Sequence, residues 1–200
     1  MAIFHPHSRR SRNRIASIAN RPAYRLSPTT SRQRGLAAIG FELQPPNDVD
    51  VQPIDSGETV VRCSERRADG KTVGVLEVAV FRAALLIDRD GILEEKVQAA
   101  AGGVAAAVPV ALPGASGFRA DIVARGALPY VYVFAMAPHD LGVDGGVLVT
   151  VRCATPDWPA ADAIMRSLRI LDRRGACAND GDEPALLPLI GATSGDRSGW

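Results

Sequence analysis

The clearest pattern of apolar and polar positions lies between Gly146 and Leu171. From Val147 to Cys153 every second side chain is apolar and the intervening ones include Thr150 and Arg152, which predicts a strand with one better-buried face. Apolar side chains then recur three or four residues apart, at Trp158, Ala161, Met165, Leu168 and Leu171. That spacing predicts an amphipathic helix that covers a sheet, since a lone helix of this length is marginal in water. The segment Thr155-Pro156-Asp157 predicts where the helix starts, with Thr155 as its cap.

The rest of the chain repeats the alternating pattern. It predicts further strands at 39–43, 49–51, 59–65, 72–82, 118–124 and 130–137, of which 130–137 is the most apolar and therefore an interior strand. An Asp69-Gly70 turn joins two of these strands as a hairpin. Residues 109–117 are predicted to form a loop or a short edge strand.

A second helix is predicted from Asp88 to about Ala107. Its inner stripe consists of Ile92 or Leu93, then Val97, Ala101 and Val104, and the pair Gly102-Gly103 weakens its second half. Because hairpins dominate the order of elements, we expect an α+β fold with a single domain. Its core would be a mostly antiparallel sheet of about six or seven strands, with two main helices packed on it.

The patterned region spans residues 36–172 and is flanked by two segments that we expect to be disordered. Residues 1–35 carry eight arginines and precede the first acidic residue, Glu42, and residues 173–200 lose the apolar periodicity. The basic segment lacks the apolar run of a secretory signal. The alternative to a merely disordered tail is that this segment contacts a nucleic acid or another polyanion through Arg9, Arg10, Arg12 and Arg14.

The overall composition points to no charged partner. The 200 residues hold 23 basic and 22 acidic side chains, a net charge of +1, so no whole-protein field favours nucleic acid or a membrane surface. No run of about 18 apolar residues occurs, which predicts no membrane span and, without a signal peptide, a cytoplasmic location. Only two of the basic residues are lysines, and this arginine bias is typical of a GC-rich bacterial genome.

The three cysteines do not predict a metal or redox site. Cys63, Cys153 and Cys177 contain no C-x-x-C pair, and the first two end alternating runs. We therefore expect Cys63 and Cys153 to be buried thiols rather than a disulfide. The sequence predicts no cofactor and no metal.

The sequence contains two segments that each match part of a known functional motif but lack required positions. Gly70-Lys71-Thr72 resembles the end of a phosphate-binding loop, but Glu65 stands where that motif needs glycine, and a strand follows instead of a helix. The segment 114–117 lacks one spacer of the nucleophile elbow and also precedes a strand.

One polar cluster and one aromatic stripe could form a ligand site. His139, Asp140 and Asp144 bring imidazole and carboxylates into one loop, which could serve as an acid–base pair or as part of a metal site. Tyr130 and Tyr132 share a strand face and could form the wall of a pocket. A solvated turn and ordinary core packing are the favoured interpretations of these two features.

The two ends of the patterned region resemble the PsbP-like superfamily. Gly40-Phe41-Glu42-Leu43 followed by Pro45-Pro46 is similar to the opening strand of these domains, and Ile164-Met165-Arg166-Ser167-Leu168 is similar to their closing helix. The resemblance covers Leu36–Leu171 and implies an antiparallel sheet flanked by helices, with a non-catalytic role in binding protein partners. It supplies no catalytic residues, and the signal peptide or lipobox of exported relatives is not seen here.

We therefore favour a non-catalytic binding or assembly module of a bacterial protein that acts through protein–protein contacts. The first alternative is a small-ligand carrier or enzyme with a site near Tyr130, Tyr132 and the His139 loop. The second is contact with nucleic acid or another polyanion through the arginine-rich tail.

Overall fold

The computed structural model describes residues 23–112, 114–139 and 144–171. The described residues form ten strands and three helices. In chain order these are β1 Tyr24–Leu26, α1 Pro28–Gln33, β2 Gly40–Leu43, β3 Asp50–Pro53, β4 Thr59–Arg66, β5 Thr72–Arg82, α2 Arg89–Ala100, β6 Val108–Leu112, β7 Ala115–Val123, β8 Tyr130–Pro138, β9 Gly145–Cys153, α3 Pro159–Ser167 and β10 Arg169–Leu171.

The strands form two sheets in which every pairing is antiparallel. Seven strands lie in the order β3-β4-β5-β9-β8-β7-β6, and the other three in the order β1-β2-β10. The predicted α+β class and mostly antiparallel sheet are confirmed, and β8 is an interior strand as its apolar sequence predicts. The smaller sheet was not predicted as a separate layer.

Helix α2 and the residue at the start of α3 contact opposite faces of the large sheet. Trp158, just ahead of α3, occupies the space into which a Cβ on Gly74 would project. Because side chains alternate along a strand, Leu76 and Val78 point to this same face. Lys96 of α2 lies over the ring of Phe81, seven positions further along β5 and therefore on the other face. The face beneath Trp158 is the more completely apolar: Leu76, Val78, Phe134, Val149 and Val151 are fully buried there.

The C-terminal helix is shorter than predicted, and its start is different. It spans Pro159–Ser167, with Trp158 at the N-cap and no side-chain cap. Thr155 does not cap it, because its hydroxyl donates a hydrogen bond to the carbonyl of Asp157, at 2.7 Å. Arg169–Leu171 leaves the helix to pair with β2, which keeps the predicted stripe residues Leu168 and Leu171 buried but places Leu171 in a strand.

The fold also begins earlier than the predicted boundary at Leu36. Tyr24–Leu26 pairs with β2, and Ser27 caps α1 by accepting a hydrogen bond from the Thr30 amide at 3.1 Å. Buried Ser31 fastens this helix to the next segment by donating to the carbonyl of Ala37 at 2.6 Å. Residues 23–35 therefore belong to the folded part. The remaining residues of the two predicted tails, 1–22 and 173–200, lie outside the described residues, as does residue 172 at the end of the predicted domain.

Helix α2 ends at Ala100, before the two glycines. Gly102 and Gly103 both have positive φ, +70° and +71°, which an α-helix cannot contain. Leu93, Val97 and Ala101 are buried as predicted, but Val104 lies beyond the helix and is exposed.

Candidate functional site

The predicted site around Tyr130, Tyr132 and the His139 loop does not form as one site. The two tyrosines lie at the start of β8, and His139 directly follows the end of this strand. Seven residues of extended chain separate Tyr132 from His139, a distance of about 23 Å. Asp140 lies outside the described residues, as do Arg9, Arg10, Arg12 and Arg14 of the predicted polyanion contact.

Tyr132 is part of the core rather than the wall of a pocket. It is buried, and its hydroxyl donates a 2.7 Å hydrogen bond to the carbonyl of Pro156. Burial raises the pKa of Tyr132 to about 12, and the nearby Cys153 and Asp121 add to the rise. A phenol held protonated in this way is a structural donor at neutral pH.

A buried ion pair lies beside Tyr132 on the same face of the sheet. Arg119 is only 7% exposed, and its Nε and Nη2 donate to the two carboxylate oxygens of Asp121. The guanidinium carbon also lies 5.2 Å from the Tyr132 ring centroid and 5.7 Å from that of Phe134. This geometry combines bidentate pairing with cation–π contact, so the charge is compensated within the core.

The same end of the sheet holds Trp158 and Cys153. The Trp158 indole N–H donates a 2.6 Å hydrogen bond to Glu65, and the thiol of Cys153 lies 3.7 Å from the carbonyl of Tyr130. Burial, with a smaller contribution from Asp157, raises the pKa of Cys153 to about 11, so this thiol is protonated at neutral pH. We call the group Arg119, Asp121, Tyr132, Cys153 and Trp158 the Trp158 corner.

Cys63 and Cys153 are both buried and form no disulfide, as predicted. Cys63 lies on β4 and Cys153 on β9, and β5 runs between these two strands. Two strand spacings of about 4.8 Å exceed the Cα separation that a disulfide can span.

At the other end of β8, the two described residues of the predicted polar cluster have structural roles. His139 is exposed, and its backbone amide donates to the carbonyl of Gly114 at 3.2 Å. Asp144 accepts a hydrogen bond from the amide of Ala38 at 2.9 Å through its carboxylate. Its carbonyl accepts another from Ala83 at 3.0 Å, so Asp144 ties the segment before β2 to the end of β5.

The described residues contain no group of three or more His, Cys, Asp or Glu side chains that could hold a metal ion. Within the same part of the chain, no helix is long and apolar enough to cross a bilayer.

A groove lies between the first turn of α2 and the β6–β7 hairpin. It has a volume of about 400 Å³ and is lined by Pro109, Ala111 and Phe118 from the β6–β7 hairpin and by Asp90 from the first turn of α2. Arg89 anchors this end of the helix, because its Nη2 donates to the carbonyls of Ser116 and Ala137 at 2.9 and 2.8 Å. The wall of the groove is therefore fixed to the sheet.

Two large apolar side chains stand exposed on the loop that leads into α2. Leu86 is 73% exposed and Ile87 is 86% exposed, while the neighbouring Leu85 is buried. We name this surface, made of Leu86, Ile87, Asp90 and the groove, the α2 surface. Sequence reasoning did not single out Leu86 and Ile87, although the uninterrupted apolar run Ala83–Ile87 between a strand and a helix was a usable signal.

The two edges of the large sheet carry prolines that weaken them as templates for another strand. Pro109 lies inside β6 and Pro53 ends β3, and neither can donate a backbone hydrogen bond.

Comparison with protein-family models, curated proteins and solved structures finds no match to this chain. The resemblance to the PsbP-like superfamily stays a prediction.

Proposed function

We propose that this chain is a non-catalytic binding module that contacts another protein through the α2 surface. The observation that supports the proposal is the exposure of Leu86 and Ile87, which directly precede α2, together with the groove that Asp90 of the same helix lines. Large apolar side chains that are exposed next to each other are typical of interaction surfaces, whereas single exposed apolar residues are common on any protein.

The charge around the groove favours a partner segment that is apolar and basic. Asp90, whose side chain is 74% exposed, lines the groove and pairs with Arg89 at 3.1 Å, and Glu94 and Glu95 follow in the next turn of α2, so this end of the helix keeps a net negative charge. Lys96 is turned away to lie over Phe81, and Arg89 is anchored to the sheet. In a partner segment with an arginine or lysine flanked by apolar residues, the cation would lie beside Asp90. The flanking apolar side chains would then pack on Phe118 and Pro109.

The bacterial origin and cytoplasmic location suggested by the sequence are part of this proposal. They would place the partner inside the same compartment, where an unpaired thiol such as Cys153 stays reduced.

The proposal can be tested with peptides selected from a random library on the immobilised full-length chain. We expect enriched peptides to combine apolar residues with arginine or lysine. Their affinity, measured by fluorescence anisotropy, should fall at least about tenfold in the variant Leu86→Asp/Ile87→Asp, because two central apolar contacts become charged.

The matched control is Val123→Asp, since Val123 is 75% exposed at the far end of β7. Affinity should be unchanged in this variant. Equal binding to the wild type and to the Leu86/Ile87 variant would reject the α2 surface as the contact, and so would selection of acidic peptides.

A further inference from the structure

A second cleft shares no lining residue with the α2 surface and carries charges of both signs. It has a volume of about 390 Å³ and is lined by Arg34 after α1, by Asp55 and Glu58 from the β3–β4 turn, and by Arg82 at the end of β5. The volume is within the range of small-molecule sites. We call it the Arg82 cleft.

Arg34 is held in place by the backbone of the turn opposite it. Its Nη2 donates to the carbonyl of Ile54 at 2.8 Å and to that of Thr59 at 3.4 Å. Its Nε and Nη1 donate to no other described residue, so the guanidinium is oriented and still has donors to offer. A fixed guanidinium binds a carboxylate with less loss of side-chain entropy than a free one.

The other three charged side chains of the cleft do not satisfy one another. Asp55, Glu58 and Arg82 are exposed, and among the described residues none of them has a side-chain hydrogen bond or an ion pair. Elsewhere on the surface opposite charges do pair, as Arg62 and Glu77 do at 2.7 Å. Two cations and two anions that line one cleft without pairing leave it with complementary charges for a ligand.

The walls of the cleft are open at the rim and braced behind it. Gly35 and Gly57 have positive φ, +77° and +67°, and a Cβ at either position would meet nothing within 4 Å. Asp144 braces the back by bonding Ala38 with its carboxylate and Ala83 with its carbonyl. Ala83 directly follows Arg82, so the end of β5 is tied to the segment that follows α1.

We propose that the Arg82 cleft binds a small zwitterion of about dipeptide size. Its carboxylate would lie against Arg34 and Arg82, and its ammonium group against Asp55 and Glu58. The two arginines and two carboxylates sum to no net charge, which disfavours a multiply charged anion and favours a ligand that carries one group of each sign.

The test is a titration of the full-length chain with the dipeptide alanyl-alanine, followed by amide chemical shifts in two-dimensional NMR. We expect saturable shifts at the amides of Gly35 and Gly57. N-acetyl-alanyl-alanine, which lacks the cation, and alanyl-alanine amide, which lacks the anion, should each bind about tenfold more weakly, because each loses one charge-assisted contact.

Variants locate the site. Arg82→Gln and Asp55→Asn should each weaken alanyl-alanine binding about tenfold with their folded spectra intact, while Arg66→Gln, an exposed arginine on β4, should leave it unchanged. The proposal is overturned if no shift saturates at millimolar dipeptide, if the acetylated form binds as well as the zwitterion, or if Arg82→Gln has no effect.

Discussion

The Trp158 corner and the Arg82 cleft both hold charged and polar side chains, yet they use them in opposite ways. In the corner, Arg119 is buried and bonds Asp121 with two nitrogens, and Tyr132 and Trp158 donate to named acceptors. In the cleft, Arg82 is exposed, and its side chain has no hydrogen-bond or ion-pair partner among the described residues. Polar groups thus stabilise the fold in the corner and remain available to a ligand in the cleft.

The difference shows why aromatic and charged residues in a pattern do not by themselves mark a site. Tyr132 was a candidate because of its residue type, but the hydrogen bond to Pro156 uses its only donor. Arg82 ends a strand and has no special sequence context, but its surroundings leave its charge uncompensated. A polar side chain that already has its hydrogen-bond or ion-pair partners serves the structure, whereas one that lacks them can bind a ligand, and residue type alone does not tell the two apart.

The largest effect is expected from breaking the corner's ion pair. Asp121→Asn removes the carboxylate that faces Arg119 and leaves a cation in the core with weaker compensation. We expect the free energy of unfolding, measured with urea, to fall by about 3 kcal/mol, the lower end for buried pairs because Asp121 is itself partly exposed.

Asp69→Asn is the matched control, since Asp69 is half-exposed and 3.9 Å from Lys71 in a turn. Its effect should stay within about 0.5 kcal/mol. Similar losses in the two variants would show that the Arg119 pair is no more important to stability than a surface contact.

A smaller effect is expected at the place where the helix start meets the sheet. A Cβ on Gly74 would lie 2.4 Å from Cε3 of Trp158, so Gly74→Ala must displace the indole and strain its hydrogen bond to Glu65. Overpacking of this kind costs about 1–3 kcal/mol. Thermal unfolding should detect it, together with a changed tryptophan emission. An unchanged melting temperature would mean that the indole does not pack on Gly74 in solution.

The fold class was predictable because strand alternation is a local signal. Most strands of the large sheet overlap a predicted alternating run, and the Asp69-Gly70 hairpin forms as its turn residues predict. The segment 109–117, predicted as a loop or a short edge strand, contains most of the edge strand β6 and also the first three residues of β7, which begins at Ala115 rather than at Phe118. The smaller sheet was not predictable in the same way. Its strands have only three or four residues, and Arg169–Leu171 continues the helical stripe in sequence while pairing with β2 in space.

The candidate sites depend still more on tertiary context. The α2 surface joins a loop before α2 with a hairpin after it, and the Arg82 cleft joins the end of α1 to a turn and the end of β5. No local period links residues that are about 20 to 50 positions apart. In contrast, the His139 loop was visible in sequence as a cluster, but its described members, His139 and Asp144, form backbone contacts that shape the chain.

The last prediction concerns the pH dependence of the free energy of unfolding, for which we expect no change near neutral pH. Burial raises the pKa of Cys153 from 9.0 to about 11 and that of Tyr132 from 10.0 to about 12, and it also raises the pKa of Tyr24. The folded chain therefore keeps protons that the unfolded chain releases as pH rises above about 9. Because the unfolded state then binds fewer protons, the free energy of unfolding should fall between about pH 9 and pH 12 and stay flat near pH 7.

Urea unfolding at several pH values measures this decline. Tyr132→Phe should make the decline between pH 10 and 12 shallower, although Tyr24 preserves part of it. An identical slope in that variant would show that the Tyr132 hydroxyl is not held in the buried, hydrogen-bonded position that distinguishes the Trp158 corner from the Arg82 cleft.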